Sequence, residues 1–124
     1  ALHRADARRA IDEIAKKKNY DDLFKQAADL YRQGDYETAA KKLARAKKIR
    51  QTPETAALEK QIRKKQEELK NQRFNDYMMR ARNFFEVGEV DSAADMIRRA
   101  KKIKTTPGLE LLEKQIRDAR KLPE

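Results

Sequence analysis

Apolar residues recur along this chain at the three- and four-residue spacing of an amphipathic helix. One stripe precedes Gly34 and a second follows it; they comprise Leu23, Phe24, Ala27, Leu30 and Tyr31, then Tyr36, Ala39, Ala40, Leu43, Ala46 and Ile49. Two equivalent stripes flank Gly88; they comprise Tyr77, Met78, Ala81, Phe84 and Phe85, then Val90, Ala93, Ala94, Ile97, Ala100 and Ile103. Each half of the chain therefore predicts two helices that meet at a glycine, whose left-handed backbone closes the first helix.

A further helix is predicted to begin at Thr52-Pro53 and again at Thr106-Pro107. Threonine can cap the free amides of a helix, and proline is tolerated at the first helical position. Neither Gly nor Pro occurs from Glu54 to Val87, so we expect a continuous or kinked helix there, with Asn71 and Asn75 as the plausible breaks. No strand is predicted. The predicted helices lie near 2–18, 21–33, 36–50, 53–73, 74–87, 90–104 and 106–121, and neighbouring helices can fuse into one.

The two halves of the chain are copies of one sequence unit. Residues 31–63 align without gaps on residues 85–117, at an offset of 54 residues. The identities include two blocks, Arg45–Ile49 against Arg99–Ile103 and Leu58–Arg63 against Leu112–Arg117. Such a repeat indicates units that share their burial with neighbours. The expected organisation is one helical-repeat domain over 1–124, excised from a longer protein, with an N-terminal helix 2–18, repeat 1 at about 21–73 and repeat 2 at about 75–122.

The residues around each glycine resemble the signature of the tetratricopeptide repeat (TPR) family. The matching positions are Gly34, Tyr36, Ala39, Leu43 and Ala46, then Gly88, Val90, Ala93, Ile97 and Ala100. The likeness covers residues 21–51 and 75–105. The period of 54 residues exceeds the family's period of about 34, and Gln26 and Arg80 stand where the family places leucine. The resemblance implies an all-α, TPR-like solenoid of two units with an extra or extended helix in each.

Charge adds a possible interaction surface to this picture. The chain has 124 residues, of which 42% are charged, and its formal net charge is +10. Residues 35–52 carry six bases and two acids, whereas residues 21–34 carry two bases and three acids, so the excess lies on the second helices. Cations in the last turn of a helix complement its dipole. The alternative is a basic ridge that attracts an acidic protein, an anionic membrane or nucleic acid.

Residues that carry catalysis are scarce. The chain has one histidine, His3, one serine, Ser92, and no cysteine, and its three glycines are far apart. We therefore expect no enzyme activity, no cofactor and no metal site. Most carboxylates are followed by a base three or four residues later, as in Glu59/Arg63 and Glu113/Arg117, which predicts ion pairs on helix surfaces. No apolar stretch approaches the roughly 20 residues of a membrane span, and a chain without cysteine leaves the compartment undetermined.

Three surfaces are candidates for binding. By resemblance to TPR proteins, a groove on the first helices is lined by Phe24, Ala28, Tyr31, Met78, Arg82 and Phe85; we call these residues the first-helix face. The basic ridge comprises Lys41, Lys42, Arg45, Lys48, Arg98, Arg99 and Lys102. A C-terminal stripe, comprising Leu109, Leu112, Ile116 and Leu122, is a candidate for self-association unless it folds back on the second helix of its own unit.

The function predicted from these observations is a scaffold that binds a protein or peptide through the groove of the first helices. Two alternatives remain at this point. One is a structural spacer that self-assembles through its helices into a homo-oligomer. The other is a basic helical adaptor for nucleic acid or an anionic membrane, for which no sequence-reading motif is present.

Overall fold

The structure, a computed structural model, describes residues 4–122, and in this range the chain forms five α-helices and no strand. The all-helical prediction is therefore confirmed. His3 lies outside the described residues. The helices are α1 (Arg4–Gln33), α2 (Tyr36–Ile49), α3 (Pro53–Glu86), α4 (Val90–Lys101) and α5 (Pro107–Arg120).

Neighbouring predicted segments fuse at two places. The predicted helices 2–18 and 21–33 form the single helix α1, and the predicted helices 53–73 and 74–87 form the single helix α3. Neither Asn71 nor Asn75 interrupts α3, because a lone asparagine lowers helix propensity only slightly. The predicted helix 90–104 is shorter than expected, since α4 ends at Lys101 and a turn follows.

The chain divides into two compact units, with the boundary between Gln66 and Glu67. In unit 1, α1 packs against α2, and the first part of α3 completes the core. The buried residues of this core are Ala27, Ala39, Leu43, Leu58 and Ile62. Phe24, Leu30, Tyr31 and Tyr36 pack around it, half-buried. Unit 1 is thus a three-helix arrangement built by the apolar stripes that the sequence predicts.

Unit 2 is built from the same succession of helices. The later part of α3, then α4 and α5 share a core of Phe74, Met78, Ala81, Ala93, Ile97, Ala100, Leu109, Leu112 and Ile116. Ala93 and Ala100 are fully buried, as are Ala39 and Ala46 in unit 1. These four alanines are therefore enclosed within their units. Each alanine lets two backbones approach closely because its side chain ends at Cβ.

The turn between the first and second helix has the same geometry in both units. Gly34 and Gly88 have φ angles of +86° and +81°. The next residue donates its backbone amide five positions back, from Asp35 to the Leu30 carbonyl at 3.0 Å and from Glu89 to the Phe84 carbonyl at 2.9 Å. This is the Schellman closure of a helix. The space around both glycines is open, so the left-handed backbone alone requires glycine there.

The starts of α3 and α5 confirm the predicted threonine caps. Thr106 Oγ1 accepts a hydrogen bond from the Leu109 amide at 3.1 Å. In unit 1, Thr52 Oγ1 accepts from the Thr55 amide at 3.2 Å, and the Thr52 amide donates to Thr55 Oγ1 at 3.0 Å. The reciprocal bonds of unit 1 form a capping box. Unit 2 keeps the bond to Thr106 but lacks the return bond, because the position equivalent to Thr55 is Leu109; both residues are buried.

A buried aromatic residue near the start of each third helix extends the correspondence between the two units beyond the aligned segment. Tyr20 is buried, its hydroxyl lies 2.6 Å from Thr52 Oγ1, and the Arg50 guanidinium lies 5.9 Å from its ring centroid. At the same offset of 54 residues, Lys104 Nζ lies 4.7 Å from the ring centroid of buried Phe74. A cation over an aromatic face is attracted by the ring quadrupole. In each unit, contacts to this aromatic residue therefore link the segment after the second helix to the first helix.

The C-terminal stripe is used by the core of unit 2. Leu109, Leu112 and Ile116 are at most 6% exposed because α5 folds back against α4. These three residues therefore do not present the open face from which self-association was predicted. Leu122 is 71% exposed and is the one member of the stripe outside this core.

We predict that enlarging Ala93 destabilises unit 2. Ala93→Leu forces a larger side chain into a fully buried position and should lower the free energy of unfolding by about 1–3 kcal/mol. Ala57→Leu makes the same change at an exposed helix position and should alter stability by less than about 0.5 kcal/mol. Chemical denaturation followed by circular dichroism checks both values. Equal stability of the two variants would contradict the packing described for Ala93.

Candidate functional site

Unit 1 contains an open groove between α2 and the first part of α3. Its volume is about 370 Å³, close to the lower limit of about 300 Å³ for ligand pockets. The floor is apolar, and the polar residues that border it are mainly cationic. The lining residues are Ala40, Leu43, Ala44, Lys47, Lys48, Gln51, Glu59, Ile62, Arg63 and Gln66. Because Ala40 and Ala44 are one helical turn apart on α2, they leave a strip without large side chains along the groove.

Unit 2 contains a groove of about 310 Å³ at the equivalent place, between α4 and α5. All eight of its lining residues occupy positions equivalent to lining residues of unit 1. They are Ala94, Ile97, Arg98, Lys101, Glu113, Ile116, Arg117 and Arg120. Three substitutions distinguish the shared positions, since unit 2 has Ile97, Arg98 and Arg120 where unit 1 has Leu43, Ala44 and Gln66. The groove of unit 2 is therefore smaller and carries more cations.

An ion pair links the two helices that form each groove. Glu59 accepts from Lys47 on α2 and from Arg63 on its own helix. In unit 2, Lys101 Nζ donates to Glu113 Oε2 at 3.2 Å. The hydrogen bond from Lys47 and the nearby Arg63 guanidinium hold the pKa of Glu59 below its usual value of 4.5, against the smaller effect of burial. Glu59 is therefore a carboxylate at neutral pH.

Two of the ion pairs that the sequence predicts within single helices involve these glutamates. The predicted Glu59/Arg63 pair is confirmed. The predicted Glu113/Arg117 pair does not form in the described part of the chain; Glu113 instead reaches across the groove to Lys101. Helical spacing cannot reveal such a contact, because Lys101 and Glu113 lie on different helices.

Three polar positions of each groove belong to the two identical blocks of the repeat. Lys47, Glu59 and Arg63 are matched by Lys101, Glu113 and Arg117, although α2 and α4 differ at several other positions. Exposed side chains contribute little to folding, and substitutions there usually change stability by less than about 0.5 kcal/mol. Their identity in both units therefore marks part of the groove as a surface that the two repeats share.

Most residues of the first-helix face are buried or half-buried within their own units. Met78 is 3% exposed and belongs to the core of unit 2, so it is not available to a partner. Phe24, Ala28, Tyr31 and Phe85 are half-buried against the cores of their units. The Tyr31 ring contacts the Tyr36 ring, with 5.6 Å between centroids. Arg82 is the exposed member of the set.

The residues of the basic ridge lie on α2, α4 and the turn after α4. Lys41 pairs with Glu37 at 3.6 Å, and Arg98 and Arg99 both pair with Asp95. Lys42, Arg45 and Lys48 border an open depression between α1 and α2. Lys48 and Arg98 also line the grooves described above. The ridge is therefore partly neutralised by local acids, and two of its members belong to the candidate site.

Metal sites and membrane spans are two further features that the structure addresses. Within residues 4–122, no group of three or more His, Cys, Asp or Glu side chains is placed to hold a metal ion. None of the helices described here combines the length and the apolar character of a membrane span.

Comparison with protein-family models, with curated protein sequences and with solved structures gives no match to this chain.

The sequence contains an indication of the grooves that hydrophobic periodicity does not reveal, namely identity of exposed residues between the two repeats. The longest identities between the repeats, Arg45–Ile49 and Leu58–Arg63, include exposed charged residues as well as core residues. Comparing the identity of exposed positions would have indicated these blocks as a shared surface. That they face each other across one groove follows only from the packing of α3 on α2.

The pKa of Glu59 makes a specific pH dependence testable. Because the folded-state pKa is lowered, the ion pairs stabilise unit 1 above the ordinary value of 4.5, and this contribution is lost as the pH falls through the folded-state pKa. Glu59→Gln should therefore lower the melting temperature at neutral pH, and the difference from the unmodified chain should shrink as the pH falls below 4.5.

Glu67→Gln is the control, since Glu67 makes only an exposed pair with Lys70 within α3. It should change the melting temperature little at any pH. Thermal unfolding between neutral pH and about pH 3 measures both variants. A Glu59→Gln deficit that stays constant with pH would show that the carboxylate charge is not its cause.

Proposed function

We propose that this chain is a TPR-like helical-repeat scaffold, without catalytic activity, that binds segments of partner proteins. In this proposal the binding sites are the grooves between α2 and α3 in unit 1 and between α4 and α5 in unit 2. The observation that carries the proposal is an ion-paired groove at the same place in both repeats, with five of the eight shared lining positions identical.

The grooves have the composition of a protein-binding site. Small and aliphatic side chains form the floor, and arginine and lysine border it. Partly buried apolar area with a polar rim is the usual anatomy of a protein interface, and arginine is among the residues that most often carry binding energy. The volumes suit one or two anchoring side chains of a peptide rather than a large enclosed ligand.

The proposal moves the site away from the first-helix face that the TPR resemblance implies. Five of its six residues are half-buried or buried in the units' own cores, so they present little free surface. Burial of Leu109, Leu112 and Ile116 in unit 2 likewise gives no support to a self-assembling spacer built on them.

A random-peptide display library selected against the purified chain tests the proposal. We expect the selected peptides to lose binding by about tenfold or more in the double variant Ala44→Glu/Arg98→Glu, which places a carboxylate in both grooves. Both positions are exposed, so the fold is retained, and circular dichroism verifies this.

Matched controls separate the grooves from other surfaces. Ala57→Glu and Arg73→Glu repeat the two changes at exposed helix positions outside the grooves and should leave binding within about twofold. Arg82→Glu examines the first-helix face. If Arg82→Glu abolishes binding and the double groove variant does not, the interface lies on the first helices and the groove assignment is wrong.

A further inference from the structure

We propose that the ligand of each groove is an acidic amphipathic segment, and that one chain binds two such segments, one in each unit. This inference rests on the proposed function, because it names the partner chemistry of the same grooves. It follows from three features of the grooves: the small residues of their floors, the sign of their charge and their completeness within each unit.

The floors require a ligand with apolar side chains on one face. In unit 1, Leu43 and Ile62 are each 2% exposed, and Ala40 and Ala44 leave the space above them open. Ile97, Ile116 and Ala94 form the equivalent floor in unit 2. In unit 1 the apolar area that stays accessible comes from exposed Ala44, from half-buried Ala40 and from the stems of lysine and arginine. An aliphatic side chain placed on it removes apolar area from water.

The charges around the floors require a ligand with carboxylates beside those apolar side chains. Lys47, Lys48 and Arg63 oppose Glu59 in unit 1, a net charge of +2. Four cations and Glu113 line the groove of unit 2, a net charge of +3. The acids Asp91 and Asp95, which pair with Arg120 and Arg98, reduce that surplus to +1. Both grooves stay cationic after these pairs are included, so an acidic segment complements them.

The same residues disfavour nucleic acid. No aromatic side chain lines either groove, so bases have no ring on which to stack. A phosphate backbone gains nothing from an apolar floor. A segment with aliphatic side chains on one face and carboxylates beside them contacts both the apolar floor and the cations of the groove.

Each groove is complete within its own unit, which gives two sites per chain. The residues that line the first groove all precede the unit boundary between Gln66 and Glu67, and those that line the second groove all follow it. The sites are not equal. Arg98 and Arg120 narrow the second groove, so it should take smaller apolar side chains. Their pairs with Asp95 and Asp91 leave this groove with the smaller net positive charge, so its binding should depend less on salt.

The test uses a synthetic acidic amphipathic peptide of about 18 residues, about five helical turns, with leucines on one face and glutamates beside them. A second peptide of the same composition has the leucines scattered around the helix. Isothermal titration with the full chain should give two bound peptides per chain for the first peptide. Binding of the scattered peptide should be weaker by about tenfold or more, because it cannot direct its leucines to one floor.

Variants assign the two sites. Ala44→Glu and Arg98→Glu should each reduce the stoichiometry from two to one, and the double variant should abolish binding. Ala57→Glu and Arg73→Glu should leave two peptides bound. Ala44→Arg, which gives unit 1 the side chain that unit 2 has naturally, should retain two sites and increase the salt dependence of the first.

Several outcomes would overturn the inference. These are equal affinity for both peptides, a stoichiometry that neither groove variant alters, and displacement of the bound peptide by a single-stranded oligonucleotide of deoxythymidine. The library selection distinguishes this failure from failure of the proposed function. Selected peptides that need the grooves but are not acidic would refute the ligand class alone, whereas selected peptides indifferent to the grooves would refute both proposals.

Discussion

Close contact of helices at alanine is the constraint on which each unit depends. Ala27, Ala39 and Ala46 in unit 1 are completely buried, as are their equivalents Ala81, Ala93 and Ala100 in unit 2. A Cβ is all that fits where two backbones approach to the minimum of about 8 Å between helix axes. The larger residues, such as Leu43 and Ile97, then fill the space beside these contacts. The third helix of each unit packs on the layer that the alanines hold together.

The grooves follow from the same use of small side chains. Ala40 and Ala44 continue the alanine surface of α2 to its outer side, where the side chains of α3 do not cover it. The ion pairs across the grooves are partly exposed, and pairs of that kind usually contribute no more than about 1 kcal/mol to stability. A contribution of that size does not explain why Lys47, Glu59 and Arg63 recur unchanged. The proposed recognition of a ligand would give these charges a role, because charged groups across an interface set its specificity.

The two units reach one backbone arrangement by different chemistry at the start of the third helix. Unit 1 uses hydroxyl groups, with Thr55 in a capping box and the Tyr20 hydroxyl on Thr52. Unit 2 has Leu109 and Phe74 at the equivalent positions and buries them. Within residues 4–122, no buried side-chain nitrogen or oxygen lacks a hydrogen bond. A polar network that is fully satisfied can therefore replace an apolar contact without a large penalty.

Local physics let the sequence determine most of the secondary structure. Gly34, Gly88, Thr52 and Thr106 mark helix ends because each acts through its own backbone or its nearest amides, and the alanine and leucine stripes set which face is buried. The candidate site depends instead on contacts between residues on different helices. The pairing of Lys47 with Glu59, the groove they border and the burial of Leu112 and Ile116 all arise when the third helix packs on the second. Periodicity within one helix carries no information about which neighbour covers its apolar face, so only the tertiary structure decided where this protein leaves a surface open.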